Sequence, residues 1–257
     1  TDPAKVHRDT HDGTYFSLDA IHLCEPSPQR SPVIYQAGTS PKGQAFAGTH
    51  AECVFVGNHS KKTVASYVES LRGIAAAQGR SPDDLKIFAL LAVVPGETDA
   101  EAAAKFADYQ SYGIREGGLA LISGWTGLDM AGFDTHAYIE HHESEGIRAM
   151  ASSLCARSVD EWADYLIVGG AAPVIVGSPK TIADEMEAWM DETGIDGFNL
   201  AYTVMPECMT EFVDLIVPEL QRRGRYKTAY TPGAMREKLF GAGPRLKPSH
   251  PGTRYQV

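Results

Sequence analysis

The sequence predicts an α/β fold built on a parallel sheet, with about four strand–helix units, an insertion before the last strand and an extended C-terminal arm. Three observations predict it. Short, β-rich apolar runs recur at residues 32–36, 53–56, 85–94 and 196–202. Each is closed by a turn and followed by an amphipathic segment at helical spacing. The run at 85–94 is apolar almost throughout, as a strand buried on both faces must be.

The first unit begins at Pro32 and ends in Ala37-Gly38-Thr39-Ser40, where Ser40 is placed to cap a helix whose first position is Pro41. That helix runs to about His50. The second run closes at Gly57-Asn58. Ser60 then opens a long helix with Val64, Tyr67, Val68, Leu71 and Ile74 on one face, and Gly79 stops it. Pro95-Gly96-Glu97 breaks the third run, and Thr98 caps an Ala-rich helix through Tyr109. The fourth run precedes a helix containing Phe212, Leu215 and Leu220, which Gly224 ends.

Repeated βα units with right-handed crossovers give either a doubly wound sheet or a (β/α)8 barrel. Four units are half of a barrel. With a polar, turn-rich start lacking periodic apolar pattern, that count leads us to expect the C-terminal half of a TIM barrel. We expect a single domain, divided as a lead-in loop at 1–31, three βα units at 32–112, an insertion or lid at 113–172, the last helix and βα unit at 173–225, and a C-terminal arm at 226–257 lying over a surface. Within the insertion, residues 117–127 read as a Gly- and Trp-rich loop, and residues 158–168 as a helix.

Composition narrows the function classes. The 257 residues carry a formal net charge of −10, which argues against nucleic acid, whose phosphates reward clustered Lys and Arg. An anionic ligand stays open, because backbone N–H groups can bind phosphate inside an acidic protein. No apolar run approaches the roughly 20 residues of a membrane span. The four cysteines, Cys24, Cys53, Cys155 and Cys208, show no C-x-x-C spacing, so reduced thiols in a cytoplasmic protein are expected rather than a metal centre or disulfide framework. His136, His141 and His142 with Glu140 and Glu143 are better read as a solvated loop than as a metal site, since His141 and His142 are adjacent and do not share a helix face.

Several stretches carry a resemblance. They are His11-Asp12-Gly13-Thr14-Tyr15-Phe16, Gln36-Ala37-Gly38-Thr39-Ser40 with Gly43, Val176-Gly177-Ser178-Pro179, Asp196-Gly197-Phe198-Asn199-Leu200, and Val217-Pro218-Glu219-Leu220 with Leu239-Phe240-Gly241. In order and spacing they resemble the bacterial-luciferase-like flavin-dependent monooxygenases, in the branch acting on nitrilotriacetate, dibenzothiophene sulfone and long-chain alkanes. The resemblance implies strands five to eight of a (β/α)8 barrel. It implies reduced FMN delivered by a separate NAD(P)H:flavin reductase, insertion of one oxygen atom from O2 into a small organic substrate such as a sulfone, aminocarboxylate or alkane, and a homo-oligomer.

It also implies that Ala37, Gly38, Thr39 and Ser40 hold the FMN phosphate. The chemistry agrees, because glycine lets backbone approach a ligand and a helix N-terminus suits an anion. The competing reading is a plain tight turn and helix cap. Phe55, near the end of its strand, and Trp125 are candidates to line the substrate pocket, each weighed against ordinary packing or exposure. Val176-Gly177-Ser178-Pro179 reads as a helix cap. No general base is assigned. The rival reading from another class is a non-catalytic binding or assembly module, or an inactive fragment derived from such an enzyme.

Overall fold

The computed structural model describes residues 2–22, 24–57, 60–126, 129 and 158–255. The chain divides into two compact units, residues 34–230 on one side and residues 1–33 with 231–257 on the other.

The larger unit is built on five parallel strands, β3 (Tyr35–Ala37), β4 (Cys53–Val56), β5 (Lys86–Pro95), β6 (Val174–Gly177) and β7 (Gly197–Ala201). β3 pairs β4 and β4 pairs β5, while β6 and β7 both pair β5, β7 along Phe88–Ala92 and β6 along Ala92–Pro95. Four of these strands lie where the apolar runs place them. β6 is an addition to the expected four.

The helices are α1 (Pro41–His50), α2 (Lys61–Ala77), α3 (Asp99–Ser111), α4 (Arg115–Thr126), α5 (Val159–Tyr165), α6 (Pro179–Thr193), α7 (Glu207–Glu211) and α8 (Val217–Arg222). A π-helical turn, Phe212–Ile216, joins α7 to α8. The expected caps at Ser40, Ser60 and Thr98 form, each accepting a hydrogen bond from the backbone N–H three residues on, and Ser158 caps α5 in the same way.

The core lies on one face of this sheet. Val54, Val56, Ile87, Ala89, Leu91 and Val93 point toward Leu71, Ile182, Met186, Trp189 and Ile216 from the helices. Alternation puts Tyr35, Phe55, Phe88 and Leu90 on the other face, where they remain partly exposed. Asp196 ties the strand starts together through Arg72 (3.2 Å), Lys86 (3.1 Å) and the Ile87 N–H (2.9 Å).

Two expectations are corrected. Residues 117–127 do not begin as a loop: α4 extends from Arg115 to Thr126. One of its glycines serves packing: a Cβ on Gly118 would stand 3.0 Å from the Ala163 carbonyl and 3.4 Å from Leu166 Cβ of the α5 region. Close helix approach, and not turn formation, is what glycine supplies there. Residues 130–157, with His136, Glu140, His141, His142, Glu143 and Cys155, lie outside the described residues.

The second correction falls in the smaller unit, where the lead-in is not a plain loop. β1 (Arg8–Asp12) and β2 (Ser17–Ile21) pair antiparallel. An ion pair between Arg8 and Asp19 and the Gly13 N–H to Phe16 carbonyl bond (3.0 Å) hold the hairpin. Every residue of both strands is exposed, so no apolar alternation marked them. In the same unit, α9 (Met235–Phe240) buries Arg236, which donates to the carbonyls of Gln29, Ser31, Pro32 and Pro244. The tail therefore folds with the opening residues.

Candidate functional site

Ligand sites of parallel α/β sheets lie at the C-terminal ends of the strands. At β3 that end is the Ala37-Gly38-Thr39-Ser40 turn. Gly38 has φ +147°, a conformation that favours glycine. The turn is pressed onto the helix that follows: a Cβ on Gly43 would stand 3.1 Å from the Gly38 carbonyl oxygen and 3.2 Å from Ser40 Oγ.

Ser40 Oγ accepts from the Gly43 N–H (3.1 Å), which leaves its own O–H to donate elsewhere. The cap role and a ligand role are thus compatible in one hydroxyl. Pro41 removes one helix-start donor, and Lys42 adds a cation next to the remaining ones.

Two glutamines flank the turn. Gln36 Nε2 donates to the Ala37 carbonyl (2.9 Å) and Gln44 Nε2 to the Thr39 carbonyl (2.6 Å). Their Oε1 atoms are buried and lack a hydrogen-bond partner among the described residues. An orphaned acceptor calls for an O–H or N–H donor. The turn therefore sets a helix start and two buried acceptors that no described residue satisfies within a few residues of each other. Lys42 and Gln44 were missed in the sequence. The only signal for Gln44 was its spacing of four from Ser40, one helical turn into α1.

Phe55 lies on the partly exposed face within an aromatic cluster, its ring centroid 5.3 Å from Tyr35 and 6.1 Å from Phe88. Tyr35 is pushed up to about 12, first by burial and then by its hydrogen bond with Cys53. Burial likewise pushes the Cys53 thiol up to about 11. Both stay protonated at neutral pH, so neither is a ready nucleophile or base. Trp125, near the end of α4, is 44% exposed. No described contact joins it to Phe55 or to the β3–α1 turn.

The Val176-Gly177-Ser178-Pro179 turn resolves as a cap whose anion position is already filled. Asp99 Oδ1 accepts from the Ser178 N–H at 2.7 Å, and that bond is the first cause of its depressed pKa. Ser178 caps α6. Among the described residues, no group of three or more His, Cys, Asp or Glu side chains is placed to hold a metal. None of the helices there is long and apolar enough to cross a membrane.

Comparison with known proteins gives a consistent set of relatives. A family model described as luciferase-like monooxygenase matches residues 6–197. The chain is 44% identical to a dimethyl-sulfide monooxygenase of Hyphomicrobium sulfonivorans, over 100% of this chain and 55% of the relative. It is also 44% identical to a long-chain alkane monooxygenase of Geobacillus thermodenitrificans, over 100% of this chain and 56% of that protein. Among solved structures, a riboflavin lyase with modified FMN and riboflavin superposes with a TM-score of 0.87 at 32% identity, covering 100% of this chain and 58% of that one. The chain spans a little over half the length of the relatives it matches.

Proposed function

Since this chain belongs to the luciferase-like monooxygenase family, we propose that it serves in the oxygenase component of a two-component monooxygenase that uses reduced FMN and O2. Its four strands β3, β4, β5 and β7 correspond to strands five to eight of a (β/α)8 barrel. The partly exposed stretch around Tyr35, Phe55, Phe88 and Leu90 supports that reading, because a parallel sheet is ordinarily covered on both faces. The exposed aromatic face is then the barrel interior.

The single observation that carries the proposal is the β3–α1 turn. Gly38, Thr39 and Ser40 hold the FMN phosphate, with Ala37 backbone beside it. The Ser40 hydroxyl donates to a phosphate oxygen while still capping α1. The orphaned Gln36 and Gln44 Oε1 atoms accept from ribityl hydroxyls. Bound flavin supplies the oxygen chemistry, and the residues here bind, orient and exclude water. Phe55, with Tyr35 and Phe88, forms an apolar wall toward the ring system or the substrate. Trp125, on α4, is a second substrate-side candidate.

The partners follow from this reading. An NAD(P)H:flavin reductase supplies reduced FMN, a small organic molecule is oxygenated, and the working form is a homo-oligomer. Free Cys24, Cys53 and Cys208 fit the reducing cytoplasm, where such a reductase operates.

The test uses the 257-residue chain. Calorimetric titration with reduced FMN under anaerobic conditions is expected to give saturable binding. Oxygen uptake with reductase, NADH and a sulfide, sulfone, alkane or aminocarboxylate is then expected to depend on the substrate. Absence of FMN binding by a folded sample would overturn the proposal.

A further inference from the structure

A concavity lies away from the β3 turn, beyond β5. Tyr109 and Tyr112 of the α3 end, Ile167 and Val168 ahead of β6, and Thr203 and Val204 after β7 line a cleft of about 330 Å³. That is at the small end of the range for ligand pockets, roughly 300–1,000 Å³. Its position is fixed by Gly169, also in the lining. A Cβ there would stand 3.4 Å from Ala92 Cβ of β5, so the cleft sits against the C-terminal part of the central strand. Thr203 follows the C-terminal end of β7. The cleft thus shares the end of the sheet at which the β3 turn lies.

Its chemistry is selective. The walls are mainly apolar. Tyr109 Oη is engaged with Glu207 at 3.2 Å, and burial, followed by that carboxylate, raises its pKa and keeps it a phenol. Thr203 Oγ1 is buried and lacks a hydrogen-bond partner among the described residues. A buried hydroxyl without a partner is a standing cost that a ligand acceptor removes. Asp108 is the one charged side chain among the lining residues, and no Lys or Arg joins it.

We propose that this cleft binds a compact, uncharged organic molecule carrying one hydrogen-bond acceptor. Thr203 Oγ1 donates to that acceptor, the tyrosine, valine and isoleucine side chains cover the apolar part, and Asp108 discriminates against anions. Of the substrate classes open to the family, this favours neutral sulfur or oxygen compounds over aminocarboxylates. The inference rests on the flavin reading for what becomes of the ligand, but not for whether it binds.

The test is ligand titration of the flavin-free full chain at neutral pH, followed by NMR. The probes are tetrahydrothiophene 1-oxide, which is uncharged with one strong acceptor, and butane-1-sulfonate, its anionic counterpart in size. Saturable binding of the sulfoxide is expected. Thr203→Val should weaken it about tenfold, and Thr203→Ser, which keeps the hydroxyl, should stay within about threefold of the parent. The sulfonate should bind more weakly than the sulfoxide, and Asp108→Asn should narrow that gap several-fold. No saturable sulfoxide binding to a folded sample, or a Thr203→Val variant that binds as the parent does, would overturn the proposal. Because no flavin is present, this outcome is separate from the FMN titration.

Discussion

Replacing Ser40 with aspartate separates the two roles assigned to that hydroxyl. Aspartate caps helices as well as serine does, so its carboxylate can take over the Gly43 N–H now held at 3.1 Å. Stability should therefore change by less than about 0.5 kcal/mol. A phosphate in the turn would instead meet a carboxylate about 5 Å away. Between effective dielectric constants of about 20 and 80, that repulsion is roughly 0.8–3 kcal/mol per unit charge. Ser40 is half-buried, which places the expected loss near 2 kcal/mol, about 30-fold in affinity. The assay is flavin fluorescence titration with FMN and with riboflavin, which lacks the phosphate. The parent chain should prefer FMN, and Ser40→Asp should lose that preference while its riboflavin affinity holds. Equal weakening of both flavins, or unchanged FMN binding in a folded variant, would refute the assignment of Ser40 to the phosphate.

Three further outcomes are expected. Gly48→Val in α1 should destabilise the chain by about 2 kcal/mol in urea denaturation, because the added Cβ would meet Ile74 Cγ2 at 2.5 Å and Ile74 Cβ at 2.8 Å. Iodoacetamide at pH 8, followed by mass spectrometry, should label exposed Cys24 in the folded chain and spare Cys53, which is buried and shifted to about 11. Glu219 is held at about 2 by Arg222 and Arg223, against an ordinary 4.5, and Asp184 and Glu187 are depressed by Lys180, Arg223 and Arg225. The folded values lie below the unfolded ones, so this network stabilises above about pH 4.5 and its contribution fades as pH falls toward 2. The urea midpoint should drop across that window, and Arg223→Met should flatten the drop.

What was legible in the sequence followed from local rules. The strand at Cys53–Val56 and the caps at Ser40, Ser60 and Thr98 were visible because apolar runs and short polar caps act within a few residues. What stayed hidden depended on distant partners. The β1–β2 hairpin carries no buried face, so alternation had nothing to mark. Gly118 looked like a loop residue until the Ala163 carbonyl opposite it was known. β6 is short and completes its pairing only at the end of β5. At the site, the Gly38–Ser40 turn could be read directly. The orphaned acceptors of Gln36 and Gln44, and the Thr203 hydroxyl, arise because folding buries them without partners among the described residues. Asp99 filling the helix start at Ser178 likewise joins residues 79 apart in sequence.

The phosphate of FMN is assigned to the β3–α1 turn. Phosphorus-31 NMR of FMN titrated with the full chain tests that assignment most directly, since the nucleus reported is the one the turn is assigned to hold. A phosphate held in the turn should give a shifted and broadened resonance that saturates with flavin fluorescence in the parent and is lost in Ser40→Asp. A bound isoalloxazine whose phosphate resonance stays at its free position would contradict it.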